Sequence, residues 1–86
     1  MPFPILVDTV DGCKDVVKTL LLEKEIALDL EGVDLGRSPG RICIMQASGH
    51  SAGDVVYLFD ITKLKQAAFE EGGLRELLES DCVTKV

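Results

Sequence analysis

The order of apolar and polar positions predicts a strand and then an amphipathic helix at the start of the chain. Ile5, Leu6 and Val7 form a short apolar run, which is typical of a short strand. Between residues 11 and 22 apolar side chains recur at intervals of three and four, which places them along one side of a helix. Thr9 or Asp11 is expected to cap this helix, because both side chains accept hydrogen bonds from free backbone N–H groups.

Three further runs predict consecutive strands joined by short loops. Residues 25–31 alternate between an apolar and a more polar face, residues 41–47 are apolar on both faces, and residues 55–61 are rich in β-branched and aromatic side chains. The intervening segments 32–40 and 48–54 are polar and contain glycine, so they are predicted to be loops. Such short connections favour an antiparallel three-strand meander.

The last third of the chain predicts helical segments and the beginning of another strand. Leu64, Ala67 and Ala68 indicate one short helix, Gly72–Gly73 interrupt it, and residues 74–80 show helical spacing again. Residues 82–86 are typical of the start of a strand, which a right-handed crossover would place parallel to a neighbour. The prediction is therefore an α/β chain with a mixed sheet in the order β-α-β-β-β-α-β, incomplete within these 86 residues.

Composition and charge restrict the classes of function. Hydrophobic residues make up 47% and charged residues 28%, which is typical of a folded globular chain. No apolar run approaches the ~20 residues of a membrane helix, and the first residues lack the basic stretch of a signal peptide, so we expect a cytoplasmic or nuclear protein without membrane contact. The net charge of −6 argues against a strongly basic nucleic-acid-binding surface. A site that binds divalent cations would supply its own positive charge, and a basic surface could also lie on sequence beyond these residues.

The three cysteines do not have the spacing of a metal site or a disulfide framework. Cys13, Cys43 and Cys82 are far apart and include no CxxC pair. Each is predicted to be a small buried apolar residue, as free cysteine usually is.

Asp29 and Glu31 are the candidate catalytic residues. Their spacing places both carboxylates on one face of the predicted strand, with Cα atoms roughly 6.5–7 Å apart. Such a pair could share one hard cation or bridge two ions about 3.5–4 Å apart, and Mg²⁺ and Mn²⁺ prefer oxygen ligands of this kind. A carboxylate in a central strand is also costly to bury unless it is paired or metal-bound. The alternative is that this face is solvent-exposed and the carboxylates are ordinary surface charges.

Several separated motifs resemble one family. Residues 26–37 (IALDLEGVDLGR), 40–47 (GRICIMQA) and 56–61 (VYLFDI) resemble the opening of the DEDD-type 3′–5′ exonuclease domain, in the branch that includes Egalitarian and the Werner-type exonuclease. Residues 74–86 (LRELLESDCVTKV) resemble the helix and strand that follow there. This resemblance implies that residues 1–86 are the N-terminal portion of a domain with a ribonuclease H-like mixed sheet flanked by helices.

The resemblance also implies a chemistry for the two acids. The family hydrolyses phosphodiester bonds of DNA or RNA from the 3′ end, using two divalent cations, Mg²⁺ or Mn²⁺, held by four acidic residues in three motifs. Asp29 matches the aspartate that bridges both ions, and Glu31 matches the glutamate that holds one ion and helps to orient the attacking water. Gly32 and Val33 are weaker candidates for contact with the 3′-terminal nucleotide.

The second and third acidic motifs of the family have no counterpart within the sequence. Asp54, Asp60 and His50 are not at the positions of these motifs. His50 is expected to be solvated, and Tyr57 is expected to be a packed strand residue and not a general base. The chain is therefore expected to be a truncated domain of low stability that is inactive alone and binds nucleic acid through the complete domain.

Two other functions remain open. One is a non-catalytic nucleic-acid- or protein-binding module of the same fold, in which an open sheet edge at Val83–Val86 pairs with another chain or with a second copy. One relative in the animal small-RNA pathway has lost its catalytic acids and acts as an RNA-binding partner. This sequence keeps Asp29 and Glu31, which favours the enzyme. The other is a small acidic α/β domain whose two carboxylates are surface charges.

Overall fold

The computed structural model of the chain describes residues 3–34, 36, 40–51 and 53–86. Parts of both predicted loops, residues 35 and 37–39 of the first and residue 52 of the second, lie outside the described residues.

The described residues form a mixed sheet with helices packed on one face. The strands are β1 (Phe3–Val7), β2 (Glu25–Val33), β3 (Arg41–Gly49), β4 (Val55–Asp60) and β5 (Thr84–Lys85). The helices are α1 (Val10–Leu20), α2 (Ile61–Leu64), α3 (Gln66–Phe69) and α4 (Leu74–Glu79). None of the helices in these ranges is long and apolar enough to cross a membrane.

The sheet has the strand order β1-β4-β3-β2-β5. Strands β2, β3 and β4 form the predicted antiparallel meander, and β5 lies parallel to β2. These pairings confirm the prediction of an α/β fold with a mixed sheet. Strand β1 pairs in parallel with β4, a partner that the sequence pattern did not assign.

The core lies between the helices and one face of the sheet. Phe59, Met45 and Ile26 are almost completely buried on that face, and Leu20 and Leu74 meet them from α1 and α4. This burial explains the helical spacing of the apolar positions, because one side of each helix must be apolar to cover the sheet. The opposite face of the sheet, called the open face below, carries Leu6, Ala27 and Asp29, all of which are exposed.

Hydrogen bonds of individual residues define the helix boundaries. Thr9 is the N-cap of α1, and its hydroxyl oxygen accepts a bond from the Gly12 N–H at 3.0 Å, so Thr9 and not Asp11 has the capping role. The prediction of a single short helix around residues 64–68 is wrong. It is divided into α2 and α3 at Lys65, whose φ of 55° is incompatible with a continuing α-helix.

One sequence-based boundary and one burial prediction also need correction. Gly32 and Val33 were expected in a loop, but they continue β2 because they pair with Ile42 and Arg41. All three cysteines are free, yet only Cys13 is buried; Cys43 is half-buried and Cys82 is exposed. Cys82 lies in the turn after α4, where its side chain is exposed and its backbone N–H donates to Ser80 Oγ at 3.2 Å.

Candidate active site

Asp29 and Glu31 lie side by side on the open face of β2. This strand is internal to the sheet, between β3 and β5. The residues that alternate with them, Leu28 and Leu30, fall on the helix-covered side with Ile26; Ile26 is 1% exposed, Leu28 is half-buried and Leu30 is 43% exposed. The predicted pairing of the two carboxylates on one face follows from this alternation.

Both carboxylates are accessible to solvent in this chain, so neither carries the cost of burying a charge in a central strand. Asp29 and Glu31 are each exposed, because the helices cover the other side of the sheet. One oxygen of Asp29, Oδ1, accepts a hydrogen bond from the Leu30 N–H at 2.9 Å. Within the described residues no other hydrogen bond or ion pair engages either carboxylate. Three carboxylate oxygens of the pair therefore remain available to a ligand.

Gln46 is the polar neighbour of Asp29, although it was not among the residues predicted for the site. It is the Cα partner of Asp29 across the β2–β3 ladder, so both side chains lie on the open face. On its other side Gln46 is paired with the apolar Leu58 of β4. Asp29 and Gln46 line a shallow depression of about 130 Å³. The signal that could have found Gln46 is its polarity within the otherwise apolar run 41–47.

A β-bulge lies directly beyond Glu31. Glu31 pairs with Ile44 and Gly32 pairs with Ile42, so Cys43 is an additional residue on β3. Bulges re-aim the side chains that follow them and are frequent beside active sites. The weaker candidates Gly32 and Val33 are both exposed in the strand segment after this bulge, and Val33 is 46% exposed.

The other titratable side chains considered in the sequence do not join the pair. Asp60 on β4 and Glu31 on β2 are both Cα partners of Ile44, which lies between them on β3. However, Asp60 Oδ1 accepts a hydrogen bond from the Lys63 N–H at 3.0 Å, so this side chain caps α2. His50 is exposed in the turn after β3, and Tyr57 is half-buried against the core, as expected for both. Among the residues that the structure describes, no three His, Cys, Asp or Glu side chains form a group that could hold a metal ion.

The carboxylate oxygens of Asp29 and Glu31 are of the kind that binds a hard divalent cation, but two carboxylates are few ligands. Mg²⁺ and Mn²⁺ prefer carboxylate oxygens, and Mg²⁺ takes about six ligands, several of which are commonly waters. Asp29 and Glu31 supply two carboxylates on one exposed face. The pair is thus two exposed carboxylates on one face, and a metal ion held there would need further ligands.

Comparisons with known proteins identify the fold and the family. The sequence profile of the 3′–5′ exonuclease family matches residues 4–86. RNase D of Trypanosoma brucei, solved in complex with RNA, is similar with a TM-score of 0.79 at 30% identity, over 95% of this chain and 28% of that protein. The catalytic core of Trypanosoma brucei RRP6 is similar with a TM-score of 0.79 at 27% identity, over 99% of this chain and 22% of that one.

A more distant similarity concerns the fold alone. The EXO domain of Nibbler from Aedes aegypti superposes with a TM-score of 0.73 at 20% identity, over 95% of this chain and 37% of that domain chain. No curated protein sequence matches significantly. The chain thus spans between a fifth and two fifths of the length of these solved relatives. Because the family profile covers residues 4–86, nearly the whole sequence, the chain belongs to the 3′–5′ exonuclease family.

Proposed function

We propose that this chain is part of a 3′–5′ exoribonuclease in which Asp29 and Glu31 are the first two metal ligands. The observation that carries the proposal is the exposed pair of carboxylates on one face of an internal strand, in a chain of the exonuclease family. RNA is the favoured substrate, because the similar RNase D of Trypanosoma brucei was solved with RNA bound.

The roles of the two acids are those that the resemblance to the family implies. Asp29, nearer the middle of β2, would contact both cations of a Mg²⁺ or Mn²⁺ pair, and Glu31 would hold one of them and orient a water molecule. When bound, such ions supply a metal-activated water and stabilise the charge that develops on the phosphate oxygens. Gly32 and Val33, which follow Glu31 on the exposed end of β2, would lie beside the 3′-terminal nucleotide.

The site as it stands needs further ligands. Two carboxylates do not complete a two-metal centre, so the remaining acids of the family's second and third motifs would come from residues outside 1–86. Under this proposal the 86-residue chain is a truncated domain that is inactive by itself, and nucleic acid is bound by the complete domain.

The test is a cleavage time course on a 5′-labelled single-stranded RNA in Mg²⁺ or Mn²⁺, with the unaltered chain and Asp29→Ala. We expect no shortening by either form, together with Mn²⁺-dependent broadening of the NMR signals around residues 29–31 that disappears in Asp29→Ala. A ladder of 3′-shortened products from the unaltered chain alone would show that the site is complete. Absence of any Mn²⁺ effect at these residues would refute their role as ligands.

A second candidate is a non-catalytic binding module, which one observation favours. The backbone of β5 bonds to β2 through Thr84 N–H to Lys24 O at 2.9 Å and Val86 N–H to Ile26 O at 3.0 Å. The other edge of β5 faces away from β2, and a further strand could pair with it. Sedimentation that shows concentration-dependent dimers, with no Mn²⁺ binding, would support this candidate over the nuclease.

A further inference from the structure

In the part of the chain that the structure describes, β5 covers the neighbouring edge of β2 only as far as Leu28. Val86 N–H donates to the Ile26 carbonyl oxygen at 3.0 Å, and Leu28 N–H donates to the Val86 carbonyl oxygen at 3.1 Å. Alternate residues of a strand direct their backbone groups to the same edge, so the next N–H on this edge belongs to Leu30. Its acceptor is a side chain, Oδ1 of Asp29, at 2.9 Å.

The carboxylate of Asp29 thus takes the place that a backbone carbonyl of a longer β5 would have. We propose that a strand continuing β5 past Leu30 accepts this N–H and thereby frees the Asp29 carboxylate for a cation. The interaction surface is the edge of β2 at Leu28 and Leu30, and its occupant is an extended segment joined to Val86. The inference rests on the proposed function, in which Asp29 is a metal ligand.

The register of β5 determines which residue of such a segment would bond to Leu30. β5 runs parallel to β2, and its N–H bonds to β2 repeat every two residues, first at Thr84 and then at Val86. By the same repeat, the second residue joined to Val86 would donate to the Leu28 carbonyl oxygen and accept from Leu30 N–H. The required direction is already present, because the backbone at Val86 runs along β2 toward Leu30.

The faces of a continuing strand follow from the position of Val86. Val86 lines a depression on the open face together with Ala27. Since side chains alternate along a strand, the first residue joined to Val86 would point to the helix-covered side. The second would lie on the open face beside Asp29, where a small polar side chain leaves the carboxylate accessible.

The exposure of side chains on the helix-covered side of β2 supports an occupant with an apolar first residue. Ile26 is 1% exposed, Leu28 is half-buried and Leu30 is 43% exposed, so apolar burial declines where β5 ends. An apolar side chain beside Leu28 and Leu30 would remove part of this surface from water, which favours the pairing.

Release of Oδ1 bears on the proposed function because Asp29 is the acid that would contact both cations. While Leu30 N–H donates to Oδ1, that oxygen is shared and the carboxylate is turned toward the β5 edge. Only a fraction of the chains then has a free carboxylate, and the apparent affinity for a cation is reduced by that fraction. By linkage, a bound cation favours strand pairing at Leu30 as much as the pairing favours the cation.

Hydrogen exchange of the Leu30 amide, followed by NMR, tests the contact in the chain itself. In EDTA we expect its protection factor to be about tenfold larger than in Asp29→Ala, because the carboxylate bond protects it. Saturating Mg²⁺ should remove most of this protection, because the carboxylate then turns to the cation. The amide of Leu28, which bonds to Val86, is the internal control and should be unchanged. Equal protection of Leu30 in both chains would overturn the proposal.

Two extended chains test the coupling. One carries Val-Thr-Val-Thr after Val86, a pattern with high strand propensity, and the matched control carries Gly-Ser-Gly-Ser, which has little. We expect the Val-Thr chain to protect Leu30 N–H with and without Mg²⁺, and to keep that protection when it also carries Asp29→Ala. It should bind Mg²⁺ about fivefold more tightly than the control, measured by NMR titration of the Glu31 amide.

The extended chains also separate this inference from the proposed function. Equal Mg²⁺ affinities, with Leu30 N–H protected by the Val-Thr segment, would overturn the coupling and leave the proposed function standing. A Val-Thr chain whose Leu30 protection is lost in Asp29→Ala would overturn the strand pairing. Absence of Mg²⁺ binding by every chain would instead refute the metal role of Asp29, and with it both proposals.

Discussion

The carboxylate of Glu23 holds Ser51 by two hydrogen bonds to a single oxygen. Glu23 Oε1 accepts the Ser51 backbone N–H at 3.1 Å and the Ser51 hydroxyl at 2.9 Å. Glu23 is only 8% exposed, in the turn between α1 and β2, and Ser51 lies in the loop that follows β3. The contact therefore joins two loops at the end of the sheet opposite to Val33 and Arg41.

Removal of this carboxylate should destabilise the fold. Glu23→Ala leaves the Ser51 donors without their partner, and we expect a loss of about 1–3 kcal/mol in the free energy of unfolding. Glu23→Gln retains an acceptor oxygen and should lose less. Urea denaturation measures both, with Glu25→Ala as an exposed control. Equal stability of Glu23→Ala and Glu25→Ala would contradict the structural role of the contact.

Gly49 and Glu23 should be energetically coupled. A Cβ at Gly49 would lie 2.7 Å from the Glu23 carboxyl carbon, which is held in place by Ser51. Gly49→Ala should therefore destabilise the unaltered chain by about 1–3 kcal/mol, as overpacking does. In the Glu23→Ala background the same change should have a smaller effect, and the double-mutant cycle measures the difference. Strictly additive effects would mean that the steric contact is not the cause.

Asp29→Asn and Glu31→Gln should change cation binding and not the fold. Both side chains are exposed, so in EDTA we expect stabilities within about 0.5 kcal/mol of the unaltered chain. In excess Mn²⁺ the melting temperature of the unaltered chain should rise, because a ligand that binds the folded state stabilises it, and both variants should lose that rise. Asp15→Asn, an exposed change on α1, is the control. The same Mn²⁺ shift in all four proteins would exclude a specific site at β2.

The buried thiol of Cys13 makes stability dependent on alkaline pH. Its Sγ donates to the Ala68 carbonyl oxygen at 3.6 Å, and burial raises the pKa of the Cys13 thiol from 9.0 to about 11. In the unfolded chain the thiol ionises at lower pH, so this contribution to stability is complete below about pH 9 and declines as the pH rises toward 11.

Urea denaturation of the unaltered chain and of Cys13→Ala, at about pH 8 and about pH 10.5, measures this dependence. We expect the unaltered chain to lose more of its free energy of unfolding between the two pH values than Cys13→Ala does. Identical losses would show that Cys13 does not carry the effect.

Thiol-reactive dyes should label the exposed Cys82 well before Cys13.

Lys85 closes the C-terminal end of α4. Its Nζ donates to the carbonyl oxygen of Ser80 at 2.6 Å and to that of Leu77 at 3.2 Å, which also accepts the Ser80 backbone N–H at 3.4 Å. Lys85→Met keeps most of the apolar stem but removes both bonds, so we expect a loss of about 1–2 kcal/mol in stability. Lys14→Met on the exposed side of α1 is the control for loss of charge. A Lys85→Met chain as stable as this control would show that the bonds contribute nothing.

The sequence by itself determined the five strands, the helices α1 and α4, their order along the chain and the placement of the two acids on one face. These features depend on local periodicity: a strand alternates its side chains whatever its neighbours are, so Asp29 and Glu31 must share a face. The antiparallel meander followed from the short connections between residues 25 and 61, and the family followed from motifs that are contiguous in sequence.

Only the tertiary structure decided what each of these features contacts. The pairing of β1 with β4, the extension of β2 to Val33 and the exposure of Asp29 depend on which segments meet across the sheet and which face the helices cover. Gln46 and Asp29 are Cα partners across the sheet although they are 17 residues apart in sequence. Side-chain periodicity is a property of one element, whereas contacts between elements depend on the packing of the whole chain, so periodicity alone could not reveal them.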